Sequence, residues 1–406
     1  MYNLHLSPEQ LEIRDTVRDF VARELKPLAL KSDRLEAQQR PLLLGPLDQA
    51  SQLGLRALAL SESAGGAGAD NLTCCIVMEE LAAGDPDVAA VLAETWTLAH
   101  LLFDRLMTPA QRERFLPAFL ADTRCHLARA SAETDGEKTL GIHYHRAEGA
   151  EASLRTTAVR SGDSWLLNGN KHRVVNVPLA KLFAVEVATV GRKGTSTILV
   201  PRDAPGLMVL DGAGMQHGAC GRIELRDCRV PAENLVGAEG ESQLASEMER
   251  RLPQDLALNL GIGRAAYEAA RDYAQLRVQG GRRIIEHQAM GEKLADIAIR
   301  LEVARTAIWQ AAWASDHPQA VADGSLPDLP LARMAKVFSS QVIYHAAKDA
   351  AECFGAMGVM RDMPLQKYVH DALMCLHGGE PNDDTKLRIA EVIAGYRRAP
   401  ARLAAE

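Results

Sequence analysis

The feature that most constrains this chain is a change of texture along it. Up to about residue 123 apolar residues recur at helical spacing. From Thr156 to Gly237 short β-prone runs alternate with turn residues, and from about Gln243 onward helical spacing returns. Such a chain must bury helical stripes and a sheet face in separate layers, so an α+β fold is expected, with helices, then a β-domain, then helices. At about 100–200 residues per domain, 406 residues give two or three domains. The texture places them at 1–123 (helical), 124–238 (β) and 239–406 (helical).

Local signals support each segment. Ser7-Pro8-Glu9-Gln10 reads as an N-cap, a first-turn proline and a capping-box glutamine, and Ile13, Val17, Phe20, Val21 and Leu25 then share one helical face. Further helices are expected over Leu42–Gln52, Leu72–Ala83, Val88–Arg105 and Pro109–Leu120. In the middle segment, Thr156–Val159 and Ser164–Leu167 flank the turn Ser161-Gly162-Asp163, a hairpin signal. Leu182–Val187, Thr195–Val200, Leu207–Leu210 and Arg222–Leu225 read as strands. In the last segment Leu294, Ile297, Leu301, Ala304 and Ile308 mark a long apolar face, helical pattern recurs over Leu331–Gly355 and Asp384–Tyr396, and 314–330 reads as a loop between antiparallel helices. Low aromatic content, 4%, against abundant Ala and Leu leans the same way, since those side chains lose little freedom in helices.

Charge and composition exclude several functions. A net charge of −7 without a basic stripe argues against a general nucleic-acid binder. The opening residues have neither a basic nor an apolar leader region, and no apolar run reaches the ~20 residues of a membrane span. A cytoplasmic protein is expected, its seven irregularly spaced cysteines reduced and acting as small apolar residues. The loop from Ser63 to Gly68 is glycine-rich but lacks a following Lys-Ser/Thr, so a plain inter-helix loop outweighs a phosphate cradle. His143-Tyr144-His145 reads either as a pair of metal ligands or, more simply, as a polar surface.

Several motifs then occur in a telling order. They are Leu6-Ser7-Pro8-Glu9-Gln10 with Arg14–Phe20, Ser61-Glu62-Ser63-Ala64-Gly65-Gly66, Glu79-Glu80-Leu81-Ala82, the hairpin running to Asn168-Gly169-Asn170-Lys171, and Arg226-Asp227-Cys228-Arg229-Val230-Pro231-Ala232-Glu233-Asn234-Leu235-Val236-Gly237. The sequence resembles the acyl-CoA dehydrogenase superfamily almost end to end. The resemblance implies an N-terminal helical domain, a middle β-barrel or sandwich and a C-terminal four-helix bundle. It also implies FAD, an acyl-CoA thioester as substrate, an electron acceptor such as electron-transfer flavoprotein, and a homotetramer. In that chemistry a carboxylate removes the α-proton of the thioester while a hydride leaves Cβ for the flavin.

The resemblance also assigns residues. Arg277 stands at the arginine of the family's R-x-Q-F-G motif, which reaches a neighbouring subunit's FAD pyrophosphate; a surface arginine is the plain alternative. Gln288 matches the glutamine that also faces the cofactor, and Glu352 replaces a further glutamine. Gly355-Ala356-Met357-Gly358 resembles the turn that approaches the ADP portion, though Gly355 and Gly358 could equally form a helix C-cap.

Departures from the family pattern are as informative. The family's flavin-covering A-L-T-E-P-x-A-G-S-D loop is replaced by a longer interval, Leu127–Leu154. Arg173 stands where an aromatic packs near the flavin, Gly280 replaces the phenylalanine of R-x-Q-F-G, and Val175 stands where a hydroxyl bonds near N5. The position of the usual base is Gly379, with Glu380 one residue later beside Gly378-Gly379. The alternative base position is Arg251, with Glu249 two residues earlier. A third candidate is Glu94, alone in the apolar stretch Val88–Trp96 of the helix that lines the acyl pocket in relatives. It reads as the base or as a structural ion pair with a residue such as Arg129. These departures leave three activities open: a dehydrogenase with a displaced carboxylate, a non-dehydrogenating relative (lyase-type, or a partner subunit lacking the base), and an oxygenating or nitroalkane-oxidising relative.

Overall fold

The structure, a computed structural model, describes residues 5–35, 40–133, 154–211 and 217–396. The His143-Tyr144-His145 motif lies outside the described residues. Helices are α1 (Pro8–Phe20), α2 (Lys26–Ala29), α3 (Leu44–Gln52), α4 (Asn71–Gly84), α5 (Pro86–Ala99), α6 (Pro109–Ala121), α7 (Leu244–Glu249), α8 (Leu252–Leu276), α9 (Gln288–Asp316), α10 (Gln319–Ala322), α11 (Leu331–Cys353), α12 (Leu365–His377) and α13 (Asn382–Ile393). Strands are β1 (His126–Ala130), β2 (Thr157–Ser161), β3 (Ser164–Val174), β4 (Ala180–Thr189), β5 (Thr195–Pro201), β6 (Leu207–Asp211), β7 (Gly221–Pro231), β8 (Leu235–Val236), β9 (Val278–Gln279) and β10 (Arg282–Arg283). The chain divides into two compact units, Met1–Leu43 with Asp70–Ala89 and Leu252–Glu406, and Leu44–Ala69 with Ala90–Arg251.

The first unit is helical. Helices α8, α9, α11 and α12 pack on one another, α4 lies along α8, and α1 along α4. The capping box read at Ser7 is present, with Ser7 and Gln10 each satisfying the other's backbone N–H. Helix α4 is buried on every side from Leu72 to Gly84, so its two carboxylates need partners. Glu79 meets Arg305 at 2.8 Å, and Glu80 meets both Arg264 and Arg18 at 2.7 Å. The Glu79-Glu80 pair therefore fastens α4 to three other helices.

The second unit carries the sheet. Its strand order is β6-β7-β3-β2-β4-β5-β8, with β1 parallel to β4. The hairpin expected from sequence is present: Ser161 pairs with Ser164 across a two-residue turn. Alternate residues of β4 and β5 enter different cores. Phe183, Val185, Ile198 and Val200 join Trp165 and Ile223, whereas Leu182, Ala184 and Leu199 join Leu102, Phe103 and Phe119. Burial on both faces explains why these strands read as continuous apolar runs.

Several features were not anticipated. Strands β1 and β8 are absent from the sequence reading, α9 runs on to Asp316, and α10 occupies part of the expected 314–330 loop. The helix expected over Val88–Arg105 is α5 followed by a π-helical stretch, His100–Leu106. Among the described residues no helix is long and apolar enough to cross a membrane, and all seven cysteines are free.

Candidate active site

In the helical unit the residues matched to flavin contacts gather at one end of the bundle. Tyr273, one turn before Arg277, stacks on Phe354 with ring centroids 4.1 Å apart, which brings the end of α8 beside the Gly355–Gly358 turn. Lys293, in the second turn of α9, pairs with Glu352 at 2.6 Å and draws Gln288 to the same end. After Arg277 the chain reverses through β9 and β10, with Gly280 and Gly281 at φ +64° and +81°. Two consecutive positive φ values make the turn that matches strand twist, and glycine takes it without strain. The Arg277 side chain is exposed and, among the described residues, meets no carboxylate. Gln288 is exposed and, among the described residues, bonds its own helix at Glu292 Oε1, 2.8 Å. Glu352 is held below the usual carboxylate range by its hydrogen bond and charge contact with Lys293.

The two glycines of the 355–358 turn differ. Gly355 follows α11 at φ +58° with open space over its α-carbon, whereas a side chain at Gly358 would run into the Ala351 carbonyl at 2.3 Å. Gly358 is thus required by the fold, and Gly355 leaves backbone accessible to a ligand.

Glu380 lies in the same unit. It follows Gly379, whose φ is +71°, and its carboxylate meets Arg333 at 3.0 Å, Arg388 at 3.6 Å and the Thr385 hydroxyl at 3.3 Å. Buried Lys336 donates to the Glu380 carbonyl and to Asn382 Oδ1 at 2.7 Å, which fixes the loop between α12 and α13. A glutamate at the aligned position 379 would have to adopt a left-handed backbone that L-residues avoid.

The sheet unit holds the other candidates. Glu94, 7% exposed, receives Arg251 Nη1 on Oε2 at 2.7 Å and the Arg129 backbone N–H on Oε1 at 3.2 Å. Sequence reasoning suggested Arg129 as a pairing partner. Instead, Arg251 supplies the guanidinium, and that of Arg129 pairs with Glu186 at 2.9 Å. Two positions singled out separately as base sites, 94 and 251, are therefore in contact. Glu249 is half-buried at the end of α7.

Residues that sequence reasoning missed tie the helix bearing Glu94 to the sheet. Asn176 donates to the Val91 carbonyl and the Leu127 carbonyl at 3.0 Å and to the Thr95 hydroxyl at 3.1 Å, tying α5 to β1. His126 on β1 meets the same hydroxyl at 3.0 Å, and burial, then the charge of Arg56, push its imidazole down to about 4. Their only sequence signal was polarity beside apolar runs.

Val175 lies between Arg173 and Asn176, whose φ values are +50° and +67°. It is half-buried, and its Cγ1 would lie 3.2 Å from a side chain placed at Gly218. It offers no donor. Where the longer interval begins, Glu133 takes Lys171 Nζ at 2.6 Å and the N–H groups of Arg155 and Thr156 at 2.7 and 3.0 Å. Burial raises this carboxyl, but the Lys171 bond and the other donors outweigh it and leave it at about 2. Lys171 is wholly buried, which pushes its amine down from the ordinary lysine range. No cluster of three or more metal-ligating side chains occurs among the described residues.

A helical N-terminal part, a central sheet and a C-terminal helical bundle, with an arginine-bearing turn at one bundle end and a buried carboxylate on α5, define a class of helix–sheet–helix proteins. Residues 7–123 match the N-terminal domain of acyl-CoA dehydrogenases, and residues 251–393 match the C-terminal domain. An acyl-CoA dehydrogenase of Bacillus subtilis (strain 168) is 30% identical over 97% of this chain and 100% of its own length. The benzylmalonyl-CoA dehydrogenase of Aromatoleum aromaticum is 29% identical over 96% of this chain and 99% of its own. The structure of butyryl-CoA dehydrogenase from Megasphaera elsdenii superposes with a TM-score of 0.80 at 25% identity, over 98% of this chain and 100% of that one. The chain belongs to the acyl-CoA dehydrogenase family.

Proposed function

We propose that this protein oxidises the acyl chain of a CoA thioester between Cα and Cβ, with FAD as its cofactor and Glu94 as the carboxylate that takes the α-proton. The observation that carries this reading is the contact between Glu94 and Arg251. A buried carboxylate is kept in place by a guanidinium from the position where some relatives carry the base. Supporting it, the residue at the usual position is Gly379, and the nearby Glu380 is already held by two arginines.

The residues present fit the phosphate end of FAD. Arg277 presents an exposed guanidinium suited to bidentate phosphate contact, Gln288 an exposed amide, and Gly355 an open backbone. FAD, when bound, supplies the acceptor for the hydrogen and electron pair leaving Cβ. Glu94 receives the α-proton, Arg251 and the Arg129 N–H orient it, and the apolar surroundings on α5 exclude water. An acceptor such as an electron-transfer flavoprotein would take the electrons onward. We place the protein in the cytoplasm as a homotetramer in which Arg277 reaches the neighbouring subunit's cofactor. Exposed Ile299 and Val303 on α9 and Phe338 on α11 give apolar surface for that association.

A second reading rests on Val175 and Gly379 together. A chain lacking both the N5-side hydroxyl and the in-register carboxylate suits a lyase-type relative or a partner subunit. Purified protein with a flavin spectrum that bleaches with an acyl-CoA supports the dehydrogenase. Protein that stays colourless after reconstitution with FAD overturns it.

A further inference from the structure

The geometry points to Arg251 as the positioning residue for the base, dividing the labour between the two oxygens of Glu94. This inference rests on Glu94 being that base. Oε2 is bound by the Arg251 guanidinium at 2.7 Å, a short charge-assisted bond, whereas among the described residues Oε1 accepts a neutral backbone N–H, that of Arg129, at 3.2 Å. The two bonds fix both the position and the rotation of the carboxylate plane. They leave Oε1 as the oxygen with the more available electron pair.

The substrate Cα–H bond breaks and an O–H bond forms at Oε1. The electron pair freed at Cα becomes the new C=C bond as hydrogen leaves Cβ with its electron pair for FAD, so the thioester loses two electrons and the cofactor gains them. Oε2 stays on Arg251 throughout. Other charged side chains of the sheet unit already have partners among the described residues. The Arg129 guanidinium is on Glu186, Lys171 is on Glu133, and His126 is engaged with Thr95. Among the described residues, Arg251 supplies the charged side chain that contacts Glu94.

The test uses the flavin-loaded full chain and a panel of straight, branched, cyclic and aromatic acyl-CoAs, with bleaching followed anaerobically from pH 5 to 9. For the thioester that bleaches wild type fastest, Arg251→Gln moves the acid limb of the rate–pH profile upward by about one unit or more, because burial then acts on Glu94 unopposed. Arg251→Lys keeps the charge but loses the planar fork. Its acid limb stays within a few tenths of a unit of wild type, while the rate falls about tenfold or more. Flavin content and circular dichroism confirm that each variant is folded. Should Arg251→Gln fail to fold, the Arg251→Lys rate decides alone. An unmoved acid limb in a folded Arg251→Gln protein, or a full rate in Arg251→Lys, overturns the role of Arg251 and leaves the dehydrogenase reading intact. Full bleaching by Glu94→Gln overturns the assignment of Glu94 itself.

Discussion

Lys171→Met removes a wholly buried ammonium and leaves Glu133 in place. The lost contacts are Lys171 Nζ to Glu133 Oε1 at 2.6 Å and to the Ser131 carbonyl at 3.2 Å. Breaking one side of a buried pair costs about 3–5 kcal/mol, since the surviving charge keeps its burial penalty. Glu133 retains the N–H groups of Arg155 and Thr156, so the lower end, about 3 kcal/mol, applies. Hydrogen exchange at pH 7, followed by mass spectrometry on peptides covering β1 and β3, should then be roughly a hundredfold faster, at 1.4 kcal/mol per decade. The pH dependence has a definite sign. The Glu133 carboxyl is at about 2 in the folded chain and near the ordinary ~4.3 when unfolded. Its stabilisation is therefore full above about pH 4.3 and is lost as pH falls through 2. The gap in thermal midpoint between wild type and Lys171→Met narrows across that window. Unchanged exchange at pH 7, or a gap undiminished at pH 2, would refute the reasoning.

Other outcomes follow from the same geometry. His126 is near 4 when folded and ~6.5 when unfolded, so the unfolded chain binds the proton first as pH falls. Up to about 3 kcal/mol is lost between pH 6.5 and 4, and urea titrations of His126→Gln should show that part of the profile flattened. Gly379→Glu restores a carboxylate at the aligned position but forces φ +71° on an L-residue, costing about 1–2 kcal/mol, or a midpoint lower by roughly 2–6 °C. Its bleaching rate should not rise; a tenfold gain would move the base to that loop. Arg277→Gln should lower the bound flavin per chain, by absorbance after gel filtration, while leaving helix content unchanged. Full flavin occupancy would remove Arg277 from the cofactor site.

Much of the fold was legible because the signals were local. The capping box at Ser7, the β2–β3 hairpin and the apolar face of α9 each depend on residues within a few positions of one another. Strand β1 was not legible, because His126–Ala130 contains two polar residues and is a strand through its parallel partner β4, which lies over fifty residues away. The continuous apolar runs of β4 and β5 gave strands but not the two cores they separate. The site was legible as types and not as pairs. Glu94 stood out as a lone carboxylate and Arg251 as a misplaced arginine, yet their contact spans 157 positions. Asn176, His126 and Lys171 drew no functional notice, since their roles consist of hydrogen bonds to backbone and side chains distant in the chain. The glycines at 355 and 358 looked alike in sequence and were separated only by what surrounds each α-carbon.

The central claim is that a flavin-loaded protein uses Glu94 to remove the α-proton of an acyl-CoA. The most direct measurement is the anaerobic bleaching rate of the flavin in wild type, Glu94→Gln and Glu380→Gln, with exchange of the substrate α-hydrogen into D2O recorded alongside. The account predicts that Glu94→Gln keeps its flavin but loses bleaching and exchange by a factor on the order of a hundred or more, while Glu380→Gln stays near wild type. The reverse pattern, with Glu380→Gln inactive and Glu94→Gln bleaching at the wild-type rate, would contradict it.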